Sequence, residues 1–326
     1  MRQPKETPMT MKPNVSRRHW IAGAAAVIAV PTLLAGCGGG GSDPSDRKNL
    51  VTLAQSKPEL SLFVEAVDAA GLRETLSGGS YTVFAPDNNA FAALLAELGT
   101  TKDALFADTS LLGSVLKYHV LSSVVPKDAI PLGKAIEPIG GGFFKIERQG
   151  NDYQVTDGRN RISAITSTDS VAANGVLHVV NRVLLPADKD IVQTAQATPD
   201  LSILVEAVIA AGLVDALKAP GPLTVFAPTD DAFAALLAEL GMTKDALLAD
   251  TALLTKVLTY HVVAGRTLKA DIRVDAPITT LQGQTIRVNA DLRVVDQRNR
   301  TSGFLATDVF ASNGVVHVID RVLLPA

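Results

Sequence analysis

Cysteine is almost absent. Cys37 is the only one in 326 residues, so no disulfide can form within the chain and its stability must come from packing. Aromatic residues are scarce at 5%, against 47% hydrophobic residues in all, which predicts an aliphatic core of Leu, Val, Ile and Ala. With 19% charged residues, the composition is that of a globular protein and excludes a disordered one. A basic surplus is missing as well. Residues 1–36 hold Arg2, Lys5, Lys12, Arg17 and Arg18 against Glu6; taking that surplus of four from the net charge of −3 leaves the rest near −7. An acidic body without a basic stripe excludes nucleic acid as a partner. The sequence contains no Gly-X-Ser-X-Gly elbow and no His-X-X-X-His or Cys-X-X-Cys spacing. Gly140-Gly141-Gly142 leads into strand-like residues, not into the helix that a phosphate cradle requires. The expectation is a chain with no catalysis, no cofactor and no metal.

What is present begins with an address. Ser16-Arg17-Arg18-His19-Trp20 is a basic segment, and residues 21–34 form an apolar run too short to span a bilayer and interrupted by Pro31. The run ends in Leu34-Ala35-Gly36-Cys37, which resembles the lipobox of bacterial lipoproteins, where the thiol accepts the lipid. Residues 1–36 are therefore expected to be a signal peptide and Cys37 the lipidation site. The paired arginine resembles a twin-arginine export signal, although paired basic residues also belong to ordinary signal peptides. Residues 37–47, beginning with Gly38-Gly39-Gly40-Gly41-Ser42, have the composition of a flexible tether. With Gly38 after the cysteine, the resemblance favours the outer membrane, facing the periplasm or the exterior. More than one acyl chain, at about 0.8 kcal/mol per buried methylene, would hold such a protein stably.

From Leu50 onward the chain reads twice. Leu60-Ser61 and Val64-Glu65-Ala66-Val67 match Leu201-Ser202 and Val205-Glu206-Ala207-Val208, and residues 90–99 recur letter for letter as 232–241. Each unit runs about 137 residues, near the usual domain size. Domains are expected over 48–187 and 188–326, abutting because the join Ala187-Asp188-Lys189-Asp190 is short.

Within each unit the organising stretch is a strand that hands over to a helix, Thr82-Val83-Phe84-Ala85-Pro86-Asp87 and Thr224-Val225-Phe226-Ala227-Pro228-Thr229. Thr-Val-Phe suits a buried strand, proline removes a ladder donor, and the following polar residue can cap a helix. Apolar spacing predicts helices ending at Gly71 and Gly99, and one over residues 111–119 capped by Asp108. Residues 285–288 and 292–295 alternate as a hairpin, and Asn174-Gly175 and Asn313-Gly314 read as two-residue turns. Helices early and strands late predict an α+β fold.

Three motifs in order, twice over, resemble the fasciclin domain across most of residues 48–326. They are the strand-to-helix junction, the Tyr-His pairs Tyr118-His119 and Tyr260-His261, and Asn-Gly-Val-X-His-Val-X-X-Arg-Val-Leu-Leu-Pro at residues 174–186 and 313–325. The resemblance implies a sheet wedge wrapped by helices, a role in adhesion or protein contact at cell surfaces, and neither enzyme activity nor a cofactor. It also implies candidate contact positions. Animal members carry an Asp-Ile pair before the last motif; Asp169-Ser170 departs from it and Asp308-Val309 is conservative. Tyr118-His119 and Tyr260-His261 match a second adhesive motif.

The residues themselves favour structural roles for the histidines. His119 shares a helical stripe with Leu112, Val115 and Leu116. If the turn centres on Asn174-Gly175, His178 faces Val171, and Asp169 joins its face one pair further out. Asp169–His178 and Asp308–His317 are therefore expected to be buried polar pairs. An Asp–His pair is two thirds of a hydrolase triad, but Ser163, Ser167 and Ser302 read as lacking a shared placement in the repeats. Residues 125–160 differ strongly from 267–299, and Phe143, Phe144 and Tyr153 there are candidates for an exposed partner-binding edge. The expected function is a membrane-tethered interaction protein whose partner is an envelope or cell-surface protein or glycan. The alternative is a carrier of a small apolar ligand, a lipid or pigment.

Overall fold

The computed structural model describes residues 47–326; the expected signal peptide, Cys37 and nearly all of the tether lie outside the described residues. The first domain opens with helices α1 (Leu50–Gln55), α2 (Ser61–Ala69) and α3 (Arg73–Gly78) before strand β1 (Tyr81–Pro86). Helices α4 (Asn88–Leu98), α5 (Lys102–Ala107) and α6 (Thr109–Tyr118) follow. Strands β2 (Val120–Leu121), β3 (Ala135–Ile136), β4 (Phe144–Gln149), β5 (Asp152–Thr156), β6 (Ile162–Ala172) and β7 (Gly175–Val180) complete it. The second domain repeats the helices as α7 (Ile191–Gln196), α8 (Ser202–Ala210), α9 (Val214–Lys218), α10 (Asp230–Leu240), α11 (Lys244–Ala249) and α12 (Thr251–Tyr260). Its strands are β8 (Leu223–Pro228), β9 (Val262–Ala264), β10 (Ile278–Thr279), β11 (Thr285–Val288), β12 (Val294–Val295), β13 (Thr301–Ser302), β14 (Phe304–Ala311) and β15 (Gly314–Ile319). The fold is α+β, as expected.

The junction behaves as its residues dictate. Past Pro86 the Asp87 carboxylate accepts the Ala90 N–H at 2.7 Å, and past Pro228 the Thr229 hydroxyl accepts that of Ala232 at 3.3 Å. Gly99 and Gly241 end α4 and α10 at φ near +60°, and the amides of Thr100 and Met242 reach back to Leu95 and Leu237. β1 runs parallel to β7, and all other pairings are antiparallel in the first sheet, ordered β2-β1-β7-β6-β5-β4-β3. In the second domain the ladder breaks at Gly303 into β14-β15-β8-β9 and β10-β11-β12-β13. Alternation along β1 sorts the core: Val83 and Ala85 join the helices, while Phe84 packs with Phe144 and Ile146 beneath the outer hairpins. Burying each such side chain contributes about 1.5–3 kcal/mol.

One expectation fails in an informative way. The turns centre on Ala173-Asn174 and Ser312-Asn313, because Ala172 pairs with Gly175 and Ala311 with Gly314. The glycines are needed for close approach. A Cβ on Gly175 would lie 1.9 Å from the Tyr81 carbonyl, and one on Gly314 2.1 Å from that of Leu223. The asparagines are hubs: Asn174 Oδ1 accepts the Leu50 N–H, and its Nδ2 donates to the carbonyls of Leu76 and Gly79. Asn313 does the same with Ile191, Leu217 and Ala219. The turn therefore moves by one residue and the cross-strand pairing by two, so that Val171 lies opposite Val176 and not His178.

Candidate functional site

The four histidines of the described residues are held by main chain on both ring nitrogens. His119 Nδ1–H donates to the Val115 carbonyl at 2.7 Å, and its Nε2 accepts the Leu184 N–H at 2.9 Å. His261 repeats this with Val257 and Leu323. His178 Nε2–H donates to the Val125 carbonyl at 3.0 Å, and His317 to that of Thr267 at 2.9 Å. Burial foremost pushes all four rings below the ordinary imidazole range, His119 and His261 to about 4. Tyr118 and Tyr260 are likewise buried, their hydroxyls donating to the carbonyls of Phe143 and Thr285. Burial raises both phenols, Tyr260 to about 12. The Tyr-His pairs thus lie inside the fold and offer no outward face.

The Asp–His pairs form through the backbone. A bulge between Ser167 and Ser170 sets Asp169 at φ +56°, so that its N–H, not its carboxylate, meets His178 Nδ1 at 3.3 Å. Asp308, at φ +59°, presents its N–H to His317 Nδ1 at 3.2 Å. Asp169 is exposed and Asp308 buried, so burial of both pairs does not hold. Ser163 and Ser302 do share a placement: both are buried and accept from the amides of Arg182 and Arg321. Neither hydroxyl bonds an imidazole.

A second constellation was legible in the sequence but not singled out there: Asp157-Gly158-Arg159-Asn160-Arg161 and Asp296-Gln297-Arg298-Asn299-Arg300. The Asp157 carboxylate, 1% exposed, takes Arg161 Nη2 at 2.7 Å and the amides of Arg159, Arg161 and Leu185. Asp296 and Arg300 repeat the arrangement. It ties the β5–β6 corner of the first domain, and the β12–β13 corner of the second, to the closing segment of each.

The edge containing Phe143, Phe144 and Tyr153 is buried, which corrects the expectation of an exposed surface. Phe144 and Tyr153 pack in the first domain, whereas Phe143 meets the second domain beside Leu268, Phe310 and Val315. Its ring lies 4.6 Å from that of Phe310, with the Arg266 guanidinium 3.8 Å from its centre. Around this contact Lys145 Nζ pairs with Asp308 Oδ2 at 3.0 Å, Lys134 with Asp271 at 2.6 Å, and Arg266 with Glu137 at 3.0 Å. Asn160 takes the Phe310 N–H on Oδ1 and donates Nδ2 to the Phe310 carbonyl. Phe143→Ala is therefore expected to cost about 3–5 kcal/mol. Calorimetry checks this, and an unchanged thermal midpoint would return Phe143 to the surface. Asp308 and half-buried Val309 are likewise next to or within this contact, leaving Asp169 as the exposed candidate of the two matched aspartates.

Among the described residues no group of three or more His, Cys, Asp or Glu is placed to hold a metal ion, and no helix is long and apolar enough to cross a membrane. The fasciclin-domain family model matches residues 58–186 and 199–325. The chain is 30% identical over 263 residues to the transforming growth factor-beta-induced protein ig-h3 of Sus scrofa, covering 78% of this chain and 36% of that protein. It thus spans about a third of the length of that relative. It is 37% identical over 148 residues to the cell surface glycolipoprotein MPB83 of Mycobacterium bovis, covering 43% of this chain and 62% of that one. A solved fasciclin domain pair from the insect cell adhesion molecule Fasciclin I aligns at 20% identity with a TM-score of 0.40, covering 82% of this chain and 97% of that one.

Proposed function

The chain belongs to the fasciclin-domain family, and from that premise we propose that it is a non-catalytic adhesion or interaction protein, lipid-anchored through Cys37 in a bacterial cell envelope. The observation that carries the non-catalytic part is the state of the imidazoles. Among the described residues each imidazole nitrogen is engaged by a backbone group, so none of these four histidines is free to take a proton from a nucleophile or to bind a metal. Leu34-Ala35-Gly36-Cys37 supports the anchor, and the glycine-rich stretch after it supports a tether that holds the domains off an outer membrane. The partner is an envelope or cell-surface protein or glycan that meets the exposed faces of the domains.

The test is attachment. Wild-type protein is expected in the membrane fraction with an acylated Cys37, and Cys37→Ser in the soluble exported fraction. An exported wild-type chain with an unmodified thiol would remove the anchor. Crosslinking in intact cells should then recover an envelope partner.

One observation favours a second reading, a carrier of a small apolar molecule. Helices α7 and α8 and strand β8 line an apolar cavity of about 70 Å³, where the first domain has about 10 Å³. Leu204 stands there in place of Phe63, and Val316 in place of Leu177. A lipid or pigment would still need α8 to move outward, since a dry cavity of about 150 Å³ holds only a benzene-sized molecule. Mass spectrometry of extracts from purified native protein separates the readings: a stoichiometric apolar compound supports the carrier, and empty protein that captures a partner supports adhesion.

A further inference from the structure

The two domains are alike in where their chain enters. Lys48 leads into α1 and its carbonyl accepts the Ala173 N–H at 2.9 Å, while Lys189 leads into α7 and its carbonyl accepts the Ser312 N–H at 2.8 Å. Each entrance is thus bonded two residues beyond Val171 or Phe310, matched residues that pair with Val176 and Val315. In the second domain the entrance decides what covers the neighbouring face. The short join carries the first domain onto it, and Asp188 and Lys189 line a crevice of about 380 Å³ together with Val309 and Phe310. Leu268 and Phe310 are buried there beside Phe143.

The first domain presents the same face uncovered. Thr82 bonds Ser123 and Val125 as Thr224 bonds Gly265 and Thr267, so Val124 matches Arg266 and Pro126 matches Leu268. Val124 is 48% and Val171 50% exposed, and Pro126 is exposed as well. Asp169 holds the pose of Asp308: its Oδ1 accepts the Lys127 N–H at 2.8 Å, as Asp308 Oδ1 accepts that of Lys269. Asp308 Oδ2 takes the Lys145 ammonium at 3.0 Å, whereas Asp169 Oδ2 has no partner among the described residues. Upstream of this entrance lie residues 37–46 and, in the envelope reading, an acylated Cys37. Those ten residues reach at most about 36 Å. The face beside the entrance therefore belongs to the part of the folded chain held nearest the anchor.

We propose that this face rests on the bilayer that holds the anchor, with Val124, Pro126 and Val171 against the headgroup layer and Asp169 Oδ2 accepting the ammonium of an ethanolamine phospholipid. In each domain the face beside the entrance is then covered by whatever the chain comes from, the first domain in one case and the membrane in the other. Asp169 Oδ2 stands where a lysine ammonium sits on the second domain, and ethanolamine offers the same three N–H donors. The surrounding charges suit a zwitterionic surface. Arg47, Lys48 and Lys127 accompany Asp128 and Asp169, and a body near −7 is not drawn to an anionic one. Three apolar side chains and one charged hydrogen bond would not hold a free protein on lipid. On a tether the contact is intramolecular, and its effective concentration makes so small a contact sufficient. The orientation rests on anchoring through Cys37, to which it adds a direction.

The full anchored chain tests this in vesicles whose phospholipids carry brominated acyl chains, comparing mixed ethanolamine and choline lipids with choline lipids alone. Trp20 is the only tryptophan and precedes Cys37, so Val171→Trp gives the exported chain a single reporter. Its emission is expected to be quenched in the mixed vesicles, while Ile209→Trp, also exposed but on α8 of the second domain, keeps its emission. Quenching of Val171→Trp should fall in choline vesicles, whose quaternary ammonium has no N–H to donate. It should fall equally when Asp169→Asn, which keeps the acceptor for Lys127, is added. Flotation of the same vesicles reports the anchor separately. A floating chain in which Val171→Trp is quenched no more than Ile209→Trp would overturn the orientation, leave the anchor standing and give the face to a protein partner. Quenching that ignores both the choline lipid and Asp169→Asn would overturn the ammonium contact. A chain that does not float would remove the anchor and this orientation with it. Circular dichroism of each variant checks that the fold is kept.

Discussion

Asp157→Ala should lower the unfolding free energy by about 3–5 kcal/mol, the cost of breaking a buried ion pair from one side. The carboxylate collects three main-chain amides as well as Arg161. Without it, the Leu185 amide in the closing segment is left buried and unpaired, at about 1–3 kcal/mol. Arg161 retains Glu97 and the Val183 carbonyl, so the loss falls on the amides more than on the guanidinium. Asp296→Ala is the matched experiment, since Asp296 bonds Arg298, Arg300 and Leu324 in the same way. Urea titration of both variants checks the size of the effect. A loss under 1 kcal/mol in either would show that the corner is held by packing alone.

Acid should destabilise the protein between about pH 6.5 and pH 4. Folded His119 and His261 stay neutral down to about 4, chiefly because burial disfavours their charged form, while the unfolded chain protonates them near 6.5. The unfolded state therefore binds more protons across that window, and stability falls as pH drops through it. At about 1.4 kcal/mol per unit, each ring accounts for roughly 3 kcal/mol by pH 4. His178 and His317 act in the same direction. Urea midpoints at a series of pH values check this, and His119→Gln should flatten the slope at a cost in stability at pH 7. A profile level from pH 7 to 4.5 would contradict it.

Local chemistry was readable from the chain, and contacts between distant segments were not. The Pro-Asp and Pro-Thr junctions, the glycine helix ends and the Asp108 cap follow from neighbours a few residues apart. The buried role of His119 followed from a helical stripe. The turn at Asn174 was misplaced because the requirement for Gly175 comes from Tyr81, 94 positions earlier in the chain. The bulge at Asp169, a second departure from regular pairing, turns its carboxylate off His178 and puts its amide there. The divergence of residues 125–160 from 267–299 looked like an exposed edge. Its cause is that Phe143 and Lys145 face the second domain, whereas Thr285 and Arg287 do not face the first. The Asp-X-Arg-Asn-Arg repeat was visible in both copies, but its importance depends on amides at Leu185 and Leu324 that no local pattern reveals.

Helices α4 and α10 share their last nine residues and the glycine that follows, and their surroundings match as well. Asn88 and Asp230 hold the amides of Leu62 and Ile203, while Lys102–Glu65 and Lys244–Glu206 brace the neighbouring helices alike. Either segment would be at home in the other's berth, so nothing in this helix tells a nascent chain which half it is building. The dissimilar hairpins supply that discrimination at the domain contact, where Phe143 and not Thr285 packs against Phe310. The least alike portion of the duplication is thus what keeps its two halves from being mistaken for one another.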